Sequence, residues 1–60
     1  MKEFRVFIKY STQRNMFYRD YTVTAEDRDE ALARVLAFIW LNEHANKNRY
    51  LKLENYRVEE

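Results

Sequence analysis

Arg5, Phe7 and Lys9 stand at alternate positions in the first run of the chain, and the run that begins at Met16 carries Tyr18. Basic groups and aromatic rings interleaved on one sheet face suit one kind of chemistry: rings stack on unpaired nucleobases while guanidinium and ammonium groups neutralise phosphates. Arg14, in the turn between the runs, and Lys52, on a later strand, would assist such a surface. Asp20, Glu3 and Glu54 share or border it, and the residues carry no ribonucleoprotein-type consensus. The same pattern also serves a solvated sheet or a protein partner.

Reaction chemistry is thinner. Ser11 has no histidine near it in sequence, and a serine in a turn is suited to local hydrogen bonding. His44, the single histidine, falls near a helix C-terminus, where the dipole favours its charged form, so it reads as a helix-end or interface residue rather than a general base. Glu26, Asp27, Asp29 and Glu30 cluster, but a helix cap accounts for them, and Mg²⁺ or Ca²⁺ needs a converging cage of oxygens. With no cysteine and one histidine, disulfides and thiolate or histidine metal centres have no ligand set. The reading is of a non-enzyme with no catalytic residue, metal, cofactor or small-molecule substrate.

The elements that must position these residues follow from hydrophobic period. Phe4, Val6, Ile8 and Tyr10 share one parity against Arg5, Phe7 and Lys9, which is the signature of a half-buried strand over 3–10. Ser11 to Asn15 is polar, with Asn15 the residue best suited to a positive φ in a chain without glycine. A second strand over 16–24 carries Phe17, Arg19, Tyr21 and Val23 on one parity. Placing Tyr10 opposite Phe17 sets Ile8 against Arg19, Val6 against Tyr21 and Phe4 against Val23, so both apolar sets share a face. That register puts Lys9 opposite Tyr18 and Phe7 opposite Asp20. Arg19 is the misfit, its stem lying on apolar neighbours while its head reaches water.

Asp27, with Glu30 three residues on, forms a capping box that opens a helix over 27–45, and Asn46 or Asn48 is placed to replace glycine at its C-cap. A last strand over 49–58 breaks phase, because Leu51 and Leu53 lie on one parity and Tyr56 and Val58 on the other. A bulge near Glu54 and Asn55 restores all four to one face. A right-handed crossover then sets the third strand beside the first. The predicted architecture is α+β: one β-β-α-β domain over 1–60, a three-stranded antiparallel sheet of order 2-1-3 with one helix on one face, like half of a ferredoxin-like unit.

The helix is richer in apolar residues than one packed face requires. Val35 to Leu41 are all apolar, whereas a single face uses about three or four positions in seven. Projected at 100° per residue, Leu32, Val35, Leu36 and Ile39 point to the sheet, while Ala33, Ala37, Leu41 and His44 point away, with Trp40 and Phe38 at the two boundaries. In the blander reading, Ala33 and Ala37 are good helix formers and Trp40 and Phe38 fold over the sheet edges. In the other, Ala33, Ala37, Trp40, Leu41 and His44 form a protein interface, the small pair allowing close approach and Trp40 anchoring it.

Length and charge favour the interface. Sixty residues lie near the lower limit of independent folding, so association adds stability. Ten aromatic residues supply area to bury. Eleven basic residues against ten acidic ones create no global field toward nucleic acid or an anionic membrane. Met1-Lys2-Glu3 leads straight into a strand pattern without the succession of a signal peptide, which points to the cytoplasm, and seven consecutive apolar residues fall short of the roughly 20 that span a bilayer. The junction Val23-Thr24-Ala25 and Asp29-Glu30-Ala31 is similar to strand-to-helix junctions in small stand-alone bacterial and phage proteins. The expected function is a small protein-binding module, a homodimer or an inhibitor or accessory protein occupying a partner's surface. The alternative is nucleic-acid binding through Arg5, Phe7, Lys9, Arg14, Tyr18 and Lys52.

Overall fold

The structure is a computed structural model that describes residues 1–47 and 50–60. Its elements run β1 (Lys2–Ser11), β2 (Met16–Ala25), α1 (Arg28–Ala45) and β3 (Lys52–Glu59), and the strands form one antiparallel sheet of order β2-β1-β3 with the helix on one face. The third strand begins at Lys52 rather than at 49; Arg49, and Asn48 as a candidate cap, lie outside the described residues.

The hairpin register is the one expected from the apolar parities and a four-residue loop. Tyr10 pairs with Phe17, Ile8 with Arg19, Val6 with Tyr21 and Phe4 with Val23, because any odd slip turns one strand's apolar set to water. Arg19 lies over the Phe17 ring at 5.0 Å and its guanidinium donates to the Tyr18 carbonyl at 3.2 Å. The turn is held differently from expectation. Asn15 has no positive φ; Thr12 closes the loop, its N–H donating to the Asn15 carbonyl at 2.8 Å and its hydroxyl accepting from the Asn15 N–H at 3.3 Å.

The bulge in β3 is present. Lys9 pairs with Asn55 and Tyr10 with Leu53, so Glu54 is the extra residue, and Leu53, Tyr56 and Val58 come opposite Tyr10, Ile8 and Val6. Ser11 Oγ donates to the Glu54 carboxylate at 2.8 Å, fixing the bulged residue to the central strand.

At the helix start the Asp27 side chain accepts from Glu30 N–H at 2.8 Å, a cap that contributes about 1 kcal/mol. Glu30 reaches back one residue further than a capping box requires, to Glu26 N–H at 2.9 Å rather than to Asp27. At the other end Asn46 is the C-cap, yet the left-handed residue is Lys47, with φ 66° and its N–H on the His44 carbonyl at 2.9 Å.

Phe4, Val6, Ile8 and Tyr10 from β1, with Ala25, Ala31, Val35 and Ile39, make the core. The inward row of the helix is therefore Ala31, Val35, Ile39 and Glu43, at i, i+4, i+8 and i+12. The expected arc centred on Leu32 is rotated toward Phe38, leaving Leu32 and Leu36 as half-buried flanks. Ala31 and Ala25, both wholly buried, explain the rotation: small residues at the strand-helix junction let the helix approach the sheet more closely than a leucine there would.

Candidate functional site

Two surfaces remain open once the core is closed. The first lies along α1. Ala33, Ala37, Trp40, Leu41 and His44 are all exposed, Trp40 at 49% and Leu41 at 68%. Trp40 stacks on His44 one turn later, centroids 6.2 Å apart, so the indole is held by the helix rather than folded into the core. Phe38, on the opposite flank, packs edge-on to Tyr21 at 5.4 Å and is still half exposed.

Beside Trp40 the helix and β3 do not close on each other. A groove of about 340 Å³ runs between them, lined by Leu36, Ala37 and Trp40 from the helix, Leu51 and Leu53 from the β3 side, and Tyr10. The inward row of α1 leaves Leu36, Ala37 and Trp40 on the groove side, and Leu53, the residue before the bulge, lines it from β3. Leu51, Leu53 and the groove were not readable from the helix alone; the phase break in β3 was the signal.

At the hairpin end of the groove a polar contact lies in the core. The Tyr10 hydroxyl donates to Glu43 Oε1 at 3.1 Å, with both residues buried. Burial and then the hydrogen bond to Glu43 push the Tyr10 phenol above its ordinary value. Glu43 was missed in the sequence because it looks like a solvated helix end, although it continues the Val35, Ile39 spacing.

The second surface is the sheet face away from α1. Arg5, Phe7 and Lys9 from β1, Tyr18 and Asp20 from β2, and Lys52, Asn55 and Arg57 from β3 share it through the observed registers. Phe7 is flanked by two guanidiniums, Arg57 at 4.6 Å and Arg5 at 5.4 Å from its centroid, and Lys9 lies over the Tyr18 ring at 5.5 Å. Arg57 went unassigned in the sequence, though a bulge at Glu54 sets it opposite Phe7. Arg14 stays exposed in the turn, with no contact to this set among the described residues.

Charge on the face is partly answered within it. Arg5 pairs with Asp20 at 2.7 Å and Arg57 with Glu59 at 3.2 Å. Both pairs are exposed and each contributes about 0–1 kcal/mol; they answer Arg5 and Arg57, while among the described residues Lys9 and Lys52 make no ion pair on the face.

Among the described residues no group of three His, Cys, Asp or Glu side chains is placed to hold a metal ion, and no helix is long and apolar enough to cross a membrane. Compared with family models, curated proteins and solved structures, the chain matches none of them.

Proposed function

We propose that the chain is a non-catalytic protein-binding module of the cytoplasm, an inhibitor or accessory protein of phage or bacterial type. It acts by laying the outer stripe of α1, Ala37, Trp40 and Leu41, with the adjoining α1–β3 groove, against a partner protein. The observation that carries the reading is the continuity of exposed apolar surface from Leu41 through Trp40 into a groove lined by Leu36, Leu51 and Leu53. A tryptophan at the rim of an apolar groove is the kind of anchor around which binding energy concentrates. Ala33 and Ala37 leave room for a second helix, and His44 extends the stripe by one turn. Two copies meeting helix to helix through the stripe are the self-association form of the same reading.

Trp40 is the chain's only tryptophan, so its emission reports the site without a label. A protein captured from the native host should shift that emission to shorter wavelength on binding, and Leu41→Arg should abolish the shift. A captured protein that saturates the chain and leaves Trp40 emission unmoved removes the reading.

The open sheet face supports a second reading, nucleic-acid binding, on the placement of Arg5, Arg57 and Lys9 around Phe7 and Tyr18. It requires retardation of a single- or double-stranded probe at low salt that weakens with added salt and with Lys9→Ala. Absence of retardation at low salt excludes it.

A further inference from the structure

β2 and β3 are the two edges of the sheet and they are finished differently. Four of the eight residues of β3 are charged, Lys52, Glu54, Arg57 and Glu59, and the strand is bent by its bulge. Charge and bulges are the devices that keep an edge from pairing with another chain. β2 runs ten residues in unbroken register and carries two charges, Arg19 and Asp20, in a chain without proline.

The hairpin fixes which backbone groups of β2 are free. Thr12 N–H bonds the Asn15 carbonyl, so these two are a hydrogen-bonded pair, and alternation along the ladder gives Tyr10–Phe17, Ile8–Arg19, Val6–Tyr21 and Phe4–Val23 the same type. The N–H and C=O groups of Tyr18, Asp20, Thr22 and Thr24 then point away from β1. The Tyr18 carbonyl is taken by its neighbour's guanidinium, as its outward direction allows. On the helix side of this edge, Tyr21 and the half-exposed Phe38 form an aromatic seam parallel to the free backbone.

We propose that β2 pairs antiparallel with β2 of a second copy about a two-fold axis, giving one six-stranded sheet with both helices on the same face. Charge selects the register. Centring on Asp20 or on Arg19 opposes like charges, which disfavours the pair. Centring on Thr22 avoids that but pairs only Arg19 to Ala25. Centring on Tyr21 sets Asp20 opposite Thr22, Arg19 opposite Val23 and Tyr18 opposite Thr24, and keeps nine residues, Phe17 to Ala25, in the ladder. It also sets the two Tyr21 rings side by side beneath the two Phe38 rings, removing from water the aromatic area a single chain leaves there. Arg19 yields the Tyr18 carbonyl to the Thr24 N–H of the second copy and keeps its place over Phe17. The interface is separate from the α1 stripe, so each dimer holds out two α1–β3 grooves.

The register makes a sharp test in a chain that has no cysteine. Tyr21 faces its own copy at a non-hydrogen-bonded site, where Cα atoms stand about 4.5 Å apart, within reach of a disulfide. Light scattering should give twice the chain mass of 7.5 kDa, and Tyr21→Cys should oxidise to a covalent dimer while Thr22→Cys, which faces Asp20, stays uncrosslinked. Thr22→Pro, at an outward N–H, should be a folded monomer, and Leu41→Arg should remain dimeric. A monomeric wild type at high micromolar concentration, cross-linking of Thr22→Cys in place of Tyr21→Cys, or a dimer lost in Leu41→Arg and kept in Thr22→Pro overturns the proposal. The last of these outcomes points to self-association through the α1 stripe. If Thr22→Pro fails to fold, the two cysteine variants still decide.

Discussion

On the inward face of α1, Val35 and Ile39 are almost wholly buried, and on the outward face of the same helix Trp40 is about half and Leu41 about two-thirds exposed. The residue types are alike; what separates them is angle. Val35 and Ile39 lie within the arc that the sheet covers, and one further residue along, Trp40, the helix has turned about 100° out of it. Apolar composition therefore has two uses in this helix: one face holds the fold, and the other is available for a partner. Single substitutions on the two faces should differ in kind as well as in size.

The largest effect is expected inside. Ile39→Ala removes a wholly buried side chain between helix and sheet and should cost about 2–5 kcal/mol. A domain of this length has roughly 3–9 kcal/mol in all, so denaturant titration should find the variant largely unfolded or close to it. A loss below about 1 kcal/mol would mean that the inward row is not the core.

An intermediate effect belongs to the polar contact at the end of that row. Tyr10→Phe should lose about 1–2 kcal/mol near neutral pH, the hydroxyl bond to Glu43 being gone. Burial and the hydrogen bond to Glu43 raise the Tyr10 phenol above its ordinary value, so the native state keeps this proton longer than the unfolded chain does. Its contribution is complete below about pH 10 and is lost as pH rises through the folded value. Chemical denaturation across the alkaline range should show wild type losing stability faster than Tyr10→Phe; parallel profiles would place Tyr10 in an ordinary solvated setting.

The smallest stability effect is expected outside. Leu41→Ala should change the unfolding free energy by no more than about 0.5 kcal/mol. A loss of about 2 kcal/mol would move Leu41 into the core and end the contrast between the two faces.

Much of this fold was legible in residue order. The period of two in Phe4, Val6, Ile8 and Tyr10 against Phe17, Tyr21 and Val23 excludes every odd slip, and the register that pairs Tyr10 with Phe17 across a four-residue loop is the one observed. The phase break between Leu53 and Tyr56 located the bulge. The rotation of α1 was not legible, because apolarity weighs Leu32 above Ala31, whereas close approach at the junction favours the smaller residue. Glu43 was hidden for a related reason: a carboxyl reads as surface until a partner such as the Tyr10 hydroxyl, distant in sequence, is set beside it. Of the candidate site, Trp40 and Leu41 could be placed by angle alone, but the groove also takes Leu51 and Leu53 from the β3 side, which the helix pattern does not show.

The claim that the outward face is a binding surface is tested most directly by affinity capture from the native host with wild type and Leu41→Arg as paired baits, each checked for its unfolding free energy. A protein should be held by wild type and reduced at least about tenfold on Leu41→Arg, a difference of about 1.4 kcal/mol in binding, while the two baits unfold alike. Equal capture by both baits, or capture that disappears on nuclease treatment, would contradict it.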